Sequence, residues 1–235
     1  METADAATHH LRISRYKRGD PRGEHFDEFD VPDAPRMTLL DALLWVKHHR
    51  DPSLALRHSC LHASCGMCGV RADGRERLAC VTAMDELGDR TTVEPLANLP
   101  VLTDLVADMR EFHERFHAAR PVLRTSEVLP RSMTADGLDR HVRFEDCIEC
   151  GLCLSACPIV ATAPRYLGPA ALAGAERLRE EPRGADPGDV LAWAAGPEGV
   201  WSCHAAWECT QACPADLNPA ARIMALRGDL TRGRT

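Results

Sequence analysis

The stretch from Cys147 to Pro158, Cys-Ile-Glu-Cys-Gly-Leu-Cys-Leu-Ser-Ala-Cys-Pro, constrains this chain more than any other. Its spacing, C-x2-C-x2-C-x3-C-P, holds iron–sulfur clusters in pairs: three close thiolates bind one cluster and the fourth reaches across to a second. The run therefore requires a further group of cysteines, and Cys203, Cys209 and Cys213-Pro214 supply it. On the crossed rule Cys147, Cys150, Cys153 and Cys213 hold one cluster, while Cys157, Cys203 and Cys209 hold the other. Four thiolates suit [4Fe–4S]. The position that would complete the second C-x2-C-x2-C is Ala206, so the other set has three, which suits [3Fe–4S].

A second motif lies earlier. Cys60-x4-Cys65-x2-Cys68-x11-Cys80 has the plant-type [2Fe–2S] spacing. Three thiolates must wrap a small cluster from one tight loop, so Gly66 and Gly69 are placed where a Cβ would obstruct the turn. Backbone amides, and the hydroxyl of Ser59, are then free to point at sulfur. Asp73-Gly74 between Val70 and Leu78 predicts a hairpin that carries the chain back to deliver Cys80.

Periodicity places these motifs on elements. Leu11 and Ile13 alternate with polar residues, and Phe26, Phe29 and Val31 follow a Gly19-Asp20-Pro21 turn, which predicts an antiparallel strand pair. Thr38 and Asp41 form a capping-box start for a helix through Leu39, Leu40, Leu43 and Leu44, ending by Pro52. A further strand is expected near Thr92 to Leu96. From Val101 to Arg120 the period becomes helical, with Leu102, Leu105, Val106, Met109, Phe112 and Phe116 in one stripe. Pro121 to Leu138 reads as a connector. Helices are then expected from Ala170 to Glu181, around Val190, and from Asn218-Pro219 to a stop at Gly228. The expected fold is α+β: a plant-type (β-grasp) [2Fe–2S] ferredoxin domain over 1–100, a helix and connector over 101–138, and an all-helical bacterial-type ferredoxin domain over 139–235.

Eleven cysteines and no export signal point to metal in a reducing compartment rather than to disulfides. Structural zinc takes four ligands per ion and eleven does not divide by four, whereas the three iron–sulfur groups use every thiol. The formal net charge of -7 argues against nucleic acid. No apolar run reaches the roughly 20 residues of a membrane span. Of the eleven histidines, most read as surface residues, with His204 beside Cys203 as the exception, a candidate tuner of a cluster or proton partner. Glu176, Arg177, Arg179, Glu180 and Glu181 read as a solvated helix face.

These motifs, with Ser59-Cys60, Leu78-Ala79-Cys80, Val93-Glu94-Pro95-Leu96, Leu167-Gly168-Pro169-Ala170 and Gly199-Val200-Trp201-Ser202-Cys203, closely resemble the iron–sulfur subunit of succinate dehydrogenase and fumarate reductase over about Arg12 to Arg227. The resemblance implies a flavoprotein partner that carries FAD, one or more membrane-anchor partners with or without haem, and a quinone at the far end of the cluster series. The lack of an export signal and the reducing milieu that clusters need predict peripheral attachment at the cytoplasmic face of a bacterial membrane, and the lack of a flavin or nucleotide fingerprint predicts no catalytic residue on this chain. Ubiquinone-type members of the family carry a Trp where this chain has Thr162, and one type of fumarate reductase presents Gln and Lys where this chain has Met224 and Arg227. Pro158, His204 and Arg227 are the quinone candidates. Two other readings stay open on the residues alone: a soluble ferredoxin-like electron carrier and a zinc-stapled interaction module.

Overall fold

Buried Leu11 and Ile13 alternate with exposed Arg12 along β1 (Thr8–Arg15), which pairs antiparallel with β2 (His25–Pro32). The structure is a computed structural model that describes residues 8–118, 147–180 and 187–233. Helix α1 (Leu39–His49) starts at the expected capping box: the Asp41 amide donates to the Thr38 hydroxyl at 3.2 Å, and the Thr38 amide donates to the Asp41 carboxylate at 3.0 Å. Its Leu39, Leu40, Leu43 and Val46 are buried, each such side chain contributing about 1.5–3 kcal/mol.

β3 (Gly69–Ala72) and β4 (Arg75–Leu78) form the expected hairpin, with Asp73 at φ 50° and Gly74 at φ 75°. Two successive positive φ values match the right-handed strand twist, which is why Asp-Gly serves there. β5 (Arg90–Glu94) lies parallel to β1 and antiparallel to β3, giving a five-stranded sheet of order β2-β1-β5-β3-β4.

The expected helix from Val101 to Arg120 is only half correct. β6 (Val101–Thr103) and β7 (Val106–Ala107) make a short antiparallel ribbon, and α2 (Arg110–Ala118) begins after it. Asp104 decides this. It sits in a turn at φ 44° with its side chain 1% exposed, accepting the amides of Tyr16 at 3.0 Å and Ala55 at 2.8 Å and pairing with the Arg15 guanidinium at 3.2 Å. Helical φ at Asp104 would break all three contacts, so tertiary bonding overrides the apolar period. Leu102, assigned to the buried stripe, is exposed.

The second set of elements is helical among the described residues: α3 (Leu152–Ser155), α4 (Pro158–Thr162), α5 (Pro169–Glu180), α6 (Pro187–Ala194), α7 (Glu208–Gln211) and α8 (Pro219–Arg232). The connector expected over Pro121 to Leu138 lies outside the described residues. Asn218 caps α8 as expected, its side chain accepting the Ala221 amide at 3.2 Å. The helix does not stop at Gly228, however. It continues to a C-cap at Gly233 (φ 62°), because Asp229 is buried and paired with Arg179 at 2.8 Å, which offsets the roughly 1 kcal/mol of an internal glycine.

At Glu176 the charged face expected on α5 is not solvated, while the side chains of Glu180 and Glu181 lie outside the described residues. Glu176 is 2% exposed and bonds Arg222 of α8 at 2.8 Å, so α5 and α8 are joined by a buried ion pair beside the Arg179–Asp229 pair. The described residues divide into two compact units: one runs through Met109 and includes Cys150–Leu152, and the other holds the remainder.

Candidate metal centres

The first centre is built by the loop between α1 and β3. Leu61 (φ 64°), Ala63 (φ 58°) and Gly66 (φ 69°) adopt left-handed backbone, and alternation of hand turns successive amides to one side, forming a concave nest for negative charge. Amides of Ser64 and Cys65 donate to the Cys60 sulfur at 3.2 and 3.3 Å, Ala63 to Cys80 at 3.3 Å, and Cys80 to Cys68 at 3.5 Å. Cys80 arrives on a separate 3-10 turn (Ala79–Val81) whose Ala79 amide bonds the Cys68 carbonyl at 3.0 Å. At Gly69 the chain passes so near Leu152 that a Cβ would lie 2.9 Å from its Cδ1.

These contacts split the thiol chemistry. The His62 amide, with those of Ser64 and Cys65, draws Cys60 down to about 6, whereas burial, with Cys80 and Cys65 nearby, pushes Cys68 up to about 12. Crowded thiols with amides aimed at them favour thiolates only when a cation neutralises the group, which fits a two-iron cluster. Ser59, expected as a further donor, is exposed.

In the helical part, Cys147 is pushed up to about 11 by burial, and the nearby charge of Cys213 adds to the rise. The Leu217 amide donates to the Cys213 sulfur at 3.5 Å. Cys150 and Cys153 are half-buried, Cys150 in the preceding loop and Cys153 on α3.

A third thiol group comprises Cys157, at the N-cap of α4, with Cys203 and Cys209. Burial pushes Cys209 up to about 12, with the charges of Cys157 and Cys203 adding to it, and Cys157 is raised by burial and by Cys203. The Ala205 amide donates to the Cys203 sulfur at 3.4 Å, and Ala205 (φ 55°) and Trp207 (φ 66°) make this loop's own left-handed turns. Ala206 between them is exposed.

Tyr166 belongs to this group, although its sequence context carries no chemical signal. The residue is 2% exposed, and its hydroxyl is buried with no oxygen or nitrogen partner. Burial raises its pKa, and the charges of Cys203, Cys157 and Cys209 raise it further, so the phenol stays protonated and its O–H faces sulfur. A buried donor whose bond goes to the Cys203 sulfur fits a centre that carries negative charge on sulfur.

The quinone candidates differ in what they offer. Pro158 and His204 are exposed. Arg227 is committed within the fold: its Nε donates to the Val200 carbonyl at 2.8 Å, Nη2 donates to the Val200 and Cys203 carbonyls, and the guanidinium lies 5.8 Å from the Trp201 ring centroid. Arg227 thus braces the loop that carries Cys203.

Residues 10–114 match the family described as 2Fe-2S iron-sulfur cluster binding domain, and residues 143–217 match 4Fe-4S dicluster domain. The fumarate reductase iron-sulfur subunit of Escherichia coli O157:H7 is 35% identical, covering 91% of this chain and 89% of its own. The chain belongs to the succinate dehydrogenase and fumarate reductase iron–sulfur subunit family. The Mycobacterium tuberculosis fumarate reductase iron-sulfur subunit is 36% identical (91% and 89% covered), and the Paracoccus denitrificans succinate dehydrogenase iron-sulfur subunit 33% (95% and 89%). A chain of the Mycobacterium smegmatis Sdh1 complex in the apo form superposes with a TM-score of 0.86 at 26% identity, covering 97% of this chain and 98% of its own. The first family domain contains Cys60, Cys65, Cys68 and Cys80, and the second contains the other seven cysteines, so the α+β division into [2Fe–2S] and dicluster parts is that of the family.

Proposed function

We propose that this chain is the electron-transfer subunit of a succinate dehydrogenase or fumarate reductase, carrying electrons between the FAD of a flavoprotein subunit and a membrane quinone. The clusters supply one-electron transfer: [2Fe–2S] on Cys60, Cys65, Cys68 and Cys80, [4Fe–4S] on Cys147, Cys150, Cys153 and Cys213, and [3Fe–4S] on Cys157, Cys203 and Cys209. The observation that carries the reading is that the two family domains together contain all eleven cysteines, Cys60, Cys65, Cys68 and Cys80 in the first and the other seven in the second, and that none of them is in a disulfide.

The chain's own residues set the conditions. The nest at Cys60 and the Tyr166 hydroxyl direct donors at sulfur, and donors to sulfur favour the reduced, more negative state. Exposed apolar residues flank the first and third groups. Leu61, Met67 and Val81 adjoin Cys60, Cys68 and Cys80, and we assign them to the flavoprotein contact. Trp201 and Trp207 flank Cys203, and with exposed Pro158 and His204 we assign them to the anchor and quinone side. No helix among the described residues is long and apolar enough to cross a membrane, so attachment to the cytoplasmic face is assigned to anchor subunits, with or without haem. Thr162 and Met224 offer neither of the two quinone-side patterns, which leaves Pro158 and His204 as the main contacts.

Purification under mild detergent tests the assignment. The chain is expected with a flavoprotein and a membrane anchor, and succinate-dependent dye reduction is expected only when the flavoprotein is present. Activity of the pure chain alone, or its isolation as a brown protein free of both partners, would contradict it and favour the soluble carrier.

A further inference from the structure

Helix α2 carries the sequence His113-Glu114-Arg115-Phe116-His117. Residues four apart share a helix face, and two histidines so spaced present two nitrogens to one zinc ion. Phe112 and Phe116 are buried and fix the inner face of the helix, while His113 is half-buried and His117 exposed. A third ligand comes from a different part of the chain. Glu149 adopts left-handed backbone at φ 52° and brings a carboxylate oxygen to 3.3 Å from His113 Nδ1. One donor atom from each of the three side chains lies within 4.8 Å of the others.

We propose that His113, His117 and Glu149 form a binding site for one zinc-class divalent cation, separate from the cysteine centres. Tetrahedral zinc with nitrogen and oxygen ligands at about 2.0–2.2 Å sets its donors roughly 3.4 Å apart. The His113–Glu149 pair is already at that separation, and His117 closes the remainder by rotation about its side-chain bonds. Two imidazoles and one carboxylate select zinc over magnesium or calcium, which prefer all-oxygen sets, and a water takes the open fourth position. The ion would also tie two parts of the chain together, since the backbone amide of Glu149 donates to the Cys147 sulfur. Binding there fastens α2 to the loop that presents Cys147.

The test uses the iron-loaded complex, whose cysteines are occupied, dialysed against zinc and then against buffer. The wild type is expected to hold one more zinc per chain than the His113→Ala/His117→Ala variant of equal iron content. Its X-ray absorption shell is expected to contain nitrogen and oxygen at about 2.0–2.1 Å and no sulfur at about 2.3 Å. Glu149→Gln is expected to weaken binding at least ~10-fold. Equal zinc in wild type and double variant, or sulfur in the zinc shell, overturns the proposal. Iron content and cluster EPR on the same samples report on the electron-transfer reading separately, so loss of one leaves the other standing.

Discussion

Replacing Tyr166 by Phe removes one buried oxygen and leaves the ring, and it isolates what that hydroxyl does. In the protein without clusters the hydroxyl has no oxygen or nitrogen partner and bonds only the Cys203 sulfur, so its removal is expected to change stability by no more than about 1 kcal/mol. With clusters present the sulfur that the hydroxyl bonds, that of Cys203, is a proposed ligand of the third cluster. A hydrogen bond to a charged group contributes about 1.5–3 kcal/mol, and about 1–2 kcal/mol of it should distinguish the reduced from the oxidised cluster. For one electron 59 mV corresponds to a factor of ten, or about 1.36 kcal/mol, so the third cluster's midpoint should fall by roughly 40–90 mV in Tyr166→Phe. An EPR-monitored redox titration of the assembled complex reads this directly, with the midpoint of the [2Fe–2S] cluster as internal control. An unchanged third midpoint at full iron content, or an equal shift in both clusters, would refute the reasoning.

Asp104→Ala strips Arg15 of its most buried partner and leaves the Tyr16 and Ala55 amides unbonded; urea unfolding should show a loss of about 3–5 kcal/mol, with a loss under 1 kcal/mol contradicting the role given to Asp104. Burial opposes ionisation of Asp51, but hydrogen bonds from Ser53 and Arg15 outweigh it and hold the carboxyl at about 2. Because that is below the unfolded value near 3.9, its stabilisation is complete above about pH 4 and is lost as pH falls towards 2. Wild type should therefore converge on Asp51→Asn in thermal stability over that window, and parallel curves would contradict this. Ala206→Cys restores a fourth thiol in the third group; it should gain an iron there, lower that cluster's potential and slow electron delivery to quinone while flavin-side dye reduction continues. Unaltered iron content and potential would count against the ligand set.

Much of this was legible in the chain because the signals are local. The Thr38–Asp41 box, the Asp73-Gly74 turn, the Leu11 and Ile13 alternation and the Asn218-Pro219 start each depend on neighbours a few residues apart, and each formed where expected. The failures are long-range. Leu102, Leu105, Val106 and Met109 have helical spacing, but Asp104 is held by Tyr16 and Ala55, far away in sequence. Glu176 reads as solvent-facing until Arg222 meets it across α5 and α8. The proposed cysteine groups are drawn from spacing, because cluster size dictates ligand intervals. Tyr166 could not be found that way, since a phenol in Arg-Tyr-Leu-Gly has no interval to betray it. His113 and His117 did carry a signal, their i, i+4 spacing, but Glu149 completes it only in the fold.

The central claim is that Cys157, Cys203 and Cys209 hold a three-iron cluster at the quinone end of a three-cluster subunit. EPR of the oxidised, anaerobically prepared complex tests it most directly, because an oxidised [3Fe–4S] cluster is paramagnetic while a resting oxidised [4Fe–4S] cluster is silent. The account predicts a strong signal in the oxidised wild type that is lost or greatly weakened in Ala206→Cys. Absence of any such signal from fully iron-loaded protein would contradict it.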